Sequence, residues 1–410
     1  MSKDAFLIPK GVERCSLGKF SLWIMFLLAV MGWGALAMFM VFWKGLNVTG
    51  LNNYFGFGLW IAYDLAIIAL GAGAFFSGFL RYIIGKKELD AILPLAVILG
   101  WCCYLSAQLL LGLDVGQPIR GWFIFWHANI HSMLTEVAFC ITLYFMVLCI
   151  EYIPIILSNR KIDEIREAHV FGHNLHLNMA IFAAAGTFLS FFHQGSLGGM
   201  FGVLFARPFA ERPDVYVWPT TFFIFILSAI ASGPALTTIV CWIVQKASGR
   251  RLFRRDVLSL MGKIAGSLLA FYMVVKIIDT IYWAKVVAPS MGMTFSDMYG
   301  GSYGVWLLWA EIGICGIIPA IILLSPKLRD RDFWLIGACL LNCTGIVINR
   351  FVFTVQTLAI PVLPFDEWTV YIPTWYEWAP MFMVIAFTAL VISLSYRYLP
   401  IFPQERKLNP

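Results

Sequence analysis

The chain has 410 residues, of which 60% are hydrophobic and only 13% charged, with a formal net charge of +6. A soluble enzyme carries about 25% charged residues. The 29 Lys and Arg are scattered between long apolar runs, which also excludes a disordered chain, a coiled coil and a nucleic-acid binder. Those runs exceed the length of the alternating segments of a membrane β-barrel, so the sequence predicts an all-α polytopic membrane protein.

Ten spans are expected, near 20–43, 55–83, 91–113, 131–157, 169–192, 216–245, 257–287, 302–324, 333–357 and 376–399. The first is too long for a signal-peptide core and reads as a retained helix. The tails and the connections after even-numbered spans hold 21 Lys and Arg, from Lys3 to Lys407, and the opposite side holds five: Lys44, Arg120, Arg207, Arg212 and Lys285. By the positive-inside rule both termini are cytoplasmic, in the inner membrane. The long connections 114–130, 193–215 and 358–375 then lie outside, rich in Gly, Pro, Trp and Phe. Eight of the nine cysteines fall in apolar runs, with no C-x-x-C or C-x-x-C-H, so no iron–sulfur, zinc or covalent haem framework is visible.

A weak internal repeat joins 55–192 to 216–357 within one domain. Trp60 with Gly71-Ala-Gly-Ala74 is echoed by Trp218 with Ala231-Ser-Gly-Pro234, and Glu136 with Cys140 by Glu311 with Cys315. An offset of four helices suggests two four-helix bundles, spans 2–5 and 6–9, in the same orientation and flanked by spans 1 and 10.

Ionisable groups inside a span each need a reason. Asp64, Asp279, Glu311 and Arg350 are expected about 12–14 Å below the outer surface and Glu136 about 8 Å. His131 stands at the mouth of its helix, and Asp114, His127 and His193 are expected at the outer surface. Lys263 stands alone in the inner half of its span, with His169, His173 and His176 near the cytoplasmic entry of the fifth. Several have a plain alternative. Lys276 and Asp279 neutralise one another on one helix face, Arg350 pairs with Glu311 to tie two spans, Asp114 caps a chain reversal, and Lys263 snorkels to the surface. A quinone head group, reduced by two electrons and two protons, calls for this chemistry collectively: donors to two carbonyl oxygens, titratable groups leading to water, and an apolar slot for the tail.

The runs Phe55-Gly-Phe-Gly-Leu-Trp-Ile-Ala-Tyr-Asp64, Leu113-Asp-Val-Gly-Gln-Pro-Ile-Arg120, His131-Ser-Met-Leu-Thr-Glu136, Phe192-His-Gln-Gly-Ser-Leu-Gly198 and Ser232-Gly-Pro-Ala235 resemble, in this order, those of the NrfD/PsrC family of quinone-reactive membrane subunits. The similarity extends over nearly the whole chain and is greatest to the ten-helix members of the Qrc, Hmc and Dsr complexes of sulfate reducers. The resemblance implies a menaquinone site toward the periplasm and no haem or iron–sulfur cluster in this chain. It implies a periplasmic ferredoxin-like four-cluster iron–sulfur partner and a multihaem cytochrome c in the same complex, and no nucleic acid. Asp64, Asp114, His131, Glu136, His193 and Gln194 occupy the family-like positions. Depth alone adds Asp279, Glu311 and Arg350, and a proton path through Lys263, Lys276, Asp279, Glu311 and Arg350 is the expectation for energy coupling. Two other readings stay open: an ion or solute transporter built on repeats, and a b-type cytochrome with His131 and His193 on a haem.

Overall fold

The computed structural model describes residues 15–202, 214–215, 218–361, 363 and 365–402. Nine helices among them are long and apolar enough to cross a membrane, and ten if one bent pair is a single span. They are α1 (Leu17–Lys44), α2 (Leu59–Ile83), α3 (Leu93–Asp114), α4 (Met133–Leu157), the bent pair α5 (Arg166–Leu177) and α6 (Met179–Gly202), α7 (Thr220–Ser248), α8 (Arg255–Ser290), α9 (Trp306–Leu324), α10 (Asp332–Ala359) and α11 (Trp375–Tyr398). A two-residue antiparallel ladder, β1 (Asp214–Val215) with β2 (Trp218–Pro219), precedes α7. The chain is therefore an all-α, multi-pass integral membrane protein.

The fifth span departs from its expected bounds. The bend between α5 and α6 is 55°. The crossing helix starts at Met179 and runs to Gly202, so 193–202 is helix rather than outer loop. Gly195, Gly198 and Gly199 suggested a loop, but they serve packing. A Cβ on Gly195 would lie 2.4 Å from the Phe222 ring, and one on Gly198 2.3 Å from the Thr221 carbonyl oxygen. On Gly199 it would lie 2.6 Å from the Met133 sulfur. Glycine lets α6 press against α7 and α4 closely, as small residues do in membrane bundles. Residues 203–213 of that expected loop, with Arg207 and Arg212, lie outside the described residues.

The same device fixes the other crossings. A Cβ on Gly73 of α2 would meet the Gly233 carbonyl oxygen of α7 at 2.6 Å, and one on Gly233 would meet the Gly73 nitrogen at 2.2 Å. Gly34 of α1 sits against Met383 of α11, and Gly266 of α8 against Leu323 of α9. Asn342 of α10 donates to the Ala231 carbonyl of α7 at 2.9 Å. Among the described residues four spans contain π-helical turns: Phe79–Ile83, Trp283–Val287, Trp309–Ile317 and Val352–Gln356. One further residue per turn re-aims the side chains that follow, and such turns recur at functional sites.

Candidate functional site

Among the described residues two buried polar clusters stand inside the bundle. The first is built by α2, α3 and α6. Tyr104, fully buried on α3, shares a hydrogen bond of 3.0 Å with Ser190 of α6, and its ring lies 5.7 Å from that of His193. Gln194 donates to the Ile68 carbonyl of α2 at 3.1 Å, which anchors α6 to α2 beside Asp64. Asp64, Gln194 and His193 are each at least 97% buried. Among the described residues an oxygen of Asp64, the Gln194 carbonyl oxygen and both ring nitrogens of His193 have no hydrogen-bond partner. Buried polar groups are paired as a rule, so several unpaired atoms in one place make this cluster a candidate site for a polar ligand. Asp114, half-buried at the end of α3, has an unpaired oxygen too and lies within Coulombic reach of Asp64.

Glu377 of α11, which sequence reasoning missed, closes this end of the molecule. It lies within Coulombic reach of Asp114. It accepts from the Gly50 and Thr374 amides at 2.7 and 2.8 Å and from the Tyr371 hydroxyl. Burial, with Glu377 beside it, pushes the Tyr371 phenol well above its ordinary range, so Tyr371 stays a donor. Its only sequence signal was the Thr374-x-x-Glu377 capping box opening α11.

The remaining expected residues of the first bundle stand apart. His131 is exposed at the head of α4, its amide held by Asn129 at 3.0 Å, and His127 is exposed in the connection before it. Glu136 is half-buried on the first turn of α4. His193, expected at the outer surface, is instead fully enclosed about 14 Å from the end of α6. Among the described residues no hydrogen bond or ion pair joins His131 or Glu136 to Asp64, Asp114 or His193. A haem shared by His131 and His193 finds no support in this arrangement, since one ring is exposed and the other enclosed.

The second cluster joins α7, α8, α9 and α10. Lys276 pairs with Glu311 at 3.3 Å, both almost fully buried. Asn349 donates to the same Glu311 oxygen at 2.7 Å, and Arg350 donates to Asn349 at 2.6 Å and to Ser228 at 2.9 Å. The Arg350 guanidinium stacks 3.6 Å from the centre of the Phe225 ring. Thus Lys276, not Arg350, is the direct cation partner of Glu311, while Arg350 reaches it through Asn349. Asp279, one turn beyond Lys276, accepts from Thr220 at 3.4 Å. Lys263 does not join the cluster. It is exposed on α8, 13 residues or about 20 Å from Lys276.

A cavity of about 310 Å³ opens into the first bundle from the basic face, the end that carries Lys86, Lys87 and Arg166. His169, His173 and His176 of α5 line its mouth with Asp163, and Glu151 of α4, with Ala74 and Gly78 of α2, lines its depth. His169 bonds Asp163 at 2.8 Å. Two turns above Glu151 on α4, the Tyr144 ring stands edge-on to Tyr104 at 4.6 Å. Side chains able to hydrogen-bond therefore recur from the cavity, through Glu151, Tyr144 and Tyr104, to the Asp64 cluster.

A family model described as polysulphide reductase, NrfD, matches residues 47–361. The menaquinone reductase integral membrane subunit of Nitratidesulfovibrio vulgaris is 56% identical over 408 residues, covering 99% of this chain and 97% of the relative. The probable Ni/Fe-hydrogenase 2 b-type cytochrome subunit of Escherichia coli is 25% identical over 78% of this chain and 77% of its own. The Hdr-like menaquinol oxidoreductase integral membrane subunit of Archaeoglobus fulgidus is 23% identical over 97% of each chain.

Proposed function

The chain belongs to the polysulphide reductase NrfD family, and from that premise we propose that it is the quinone-reactive membrane subunit of a respiratory oxidoreductase complex, with menaquinone as its substrate. The observation that carries the reading is the unpaired set Asp64, His193 and Gln194, enclosed between α2, α3 and α6. A quinone has two carbonyl oxygens and takes up protons on reduction. The His193 ring N–H and the Tyr104 hydroxyl are donors to such oxygens, the Gln194 carbonyl oxygen accepts from a quinol hydroxyl, and Asp64 and His193 are groups that hold or pass a proton. Asp114 and Glu377 extend the carboxyl chemistry toward the end of the bundle opposite the basic face. Glu136 and His131 belong to the entrance in this reading rather than to the head-group contact.

The basic face is the cytoplasmic side in this proposal, in the inner membrane, with both termini there. The opposite face would then receive electrons from a periplasmic iron–sulfur subunit of the ferredoxin-like four-cluster type, with a multihaem cytochrome c beyond it. Exposed apolar side chains on that face support docking: Ile119, Trp122, Trp126 and Ile130 before α4, and Phe365 and Ile372 before α11. The bundles α2–α6 and α7–α10 are proposed to be the two copies of an internal repeat, and the mutual contact of Gly73 with Gly233 at equivalent sites supports it.

Electrons and protons arriving from the same side would separate no charge. We propose that protons instead enter from the basic face through the histidine-lined cavity and pass by Glu151, Tyr144 and Tyr104 to Asp64. A second reading assigns a proton path to Lys276, Asp279, Glu311 and Arg350. It is favoured by the π-helical turns of α8, α9 and α10 at or just beyond those residues. Lys263 has no place in either route. The ion or solute transporter is the competing class, and quinone chemistry separates the two.

The test is quinone-linked turnover of the purified complex. Asp64→Asn and His193→Gln should each lower it about 100-fold or more, the scale of a lost acid–base group, with all subunits still assembled. Wild-type turnover in both variants would remove this cluster from the reaction.

A further inference from the structure

A second cavity, of about 790 Å³, lies outside both bundles, where the α1–α11 pair meets α2, α3 and α7. The proposed quinone site and proton routes do not use it. Its volume is that of a ligand site, about 300–1,000 Å³. Along α7 its wall runs from Leu236 to Ser248, about 18 Å. One leaflet of a bilayer's hydrocarbon core is about 15 Å deep, so the cavity is one leaflet long. Its walls are mainly apolar, aliphatic at Leu99, Val240 and Val384 and aromatic at Phe20 and Trp23, with Ser106 among the few polar groups. Its mouth is at the basic face, where Ser248 at the end of α7 and Arg250 just after it line it, close in sequence to Lys246 and Arg251, while Arg254 and Arg255 pair with Asp256 and Asp332.

We propose that this cavity binds one phospholipid with an anionic head group, its phosphate at Arg250 and its acyl chains between α7 and α11. Basic pockets between membrane helices at this level take anionic lipid head groups. The uncharged head of a quinone gains nothing from Arg250. The lipid would fill the gap between the flanking pair and the bundles, adding to the direct contacts that α11 makes with α2 through Trp60 and with α4 through Tyr152.

The experiment is native mass spectrometry of the full-length chain, taken into mild detergent from vesicles of phosphatidylglycerol or, separately, of phosphatidylcholine. One phosphatidylglycerol per chain should survive detergent exchange, and phosphatidylcholine should be lost. Arg250→Gln, a change at the half-buried mouth, should weaken retention about fivefold. Ala389→Trp, which fills the cavity from α11, should abolish retention while the melting profile in detergent stays cooperative. If Ala389→Trp does not fold, Arg250→Gln decides alone. Absence of retained lipid, equal retention of both lipids, unchanged retention in Arg250→Gln, or menaquinone as the retained mass would each overturn the proposal.

Discussion

Asp64 sets an unpaired carboxyl oxygen within the membrane, and nothing on its own helix explains it. The setting comes from two other helices: Gln194 bonds Ile68 one turn along α2, and Tyr104, with the His193 ring beside it, lies within Coulombic reach of Asp64. The motif around each residue was visible in the sequence, but the convergence was not, since it needs the true end of α6. Tyr104 and Ser190 gave no signal at all, because an aromatic residue and a serine inside an apolar run read as packing. In the second cluster the sequence pointed to Glu311 and Arg350 but not to the order of partners. Lys276 and Glu311 form a buried ion pair, so Lys276→Met leaves Glu311 without its cation. A loss of about 3–5 kcal/mol is expected, since breaking one side of a buried pair is costly. The double variant Lys276→Met with Glu311→Gln should recover part of it. Thermal unfolding in detergent measures both, and a double variant as unstable as the sum would show that the pair does not couple.

Helix boundaries decided where the sequence reading held. Nine of the ten expected spans lie within a few residues of the helices described, because twenty apolar residues between basic clusters have few other solutions. The fifth was displaced since glycine carries two meanings, turn former and close-packing surface, and only the neighbouring helix selects between them. Gly198 illustrates the second, and Gly198→Ala should cost about 1–3 kcal/mol by overpacking against Thr221 and Phe225. Gly112, with open space around it, should tolerate alanine. The melting midpoints of the two variants check the pair. The reassigned end of α6 has its own test: Cys introduced for His193 should resist a membrane-impermeant maleimide from either side, whereas Cys introduced for Ile130, 88% exposed, should react. Rapid labelling at 193 would restore the outer loop.

At the scale of the whole molecule, the proposed traffic, protons from the basic side and electrons from the other, rests on the positive-inside count, the basic-face cavity and the apolar opposite face. The sequence placed the inner histidines near the cytoplasmic entry of the fifth span without a role, and it passed over Glu151, which lies in a run indistinguishable from lipid-facing helix. In liposomes holding the complex, quinone reduction should build a membrane potential. Glu151→Gln should lower turnover and potential together if Glu151 feeds the site, whereas Glu311→Gln should affect coupling only if the second bundle carries protons. The central claim, that menaquinone reacts within the α2–α6 bundle, is tested most directly by photolabelling the complex with an azido-quinone and mapping the modified peptides. Label is expected on α2, α3 and α6, around Asp64, Tyr104 and Gln194, removed by excess menaquinone. Menaquinone-sensitive label confined to α7–α10 would contradict it.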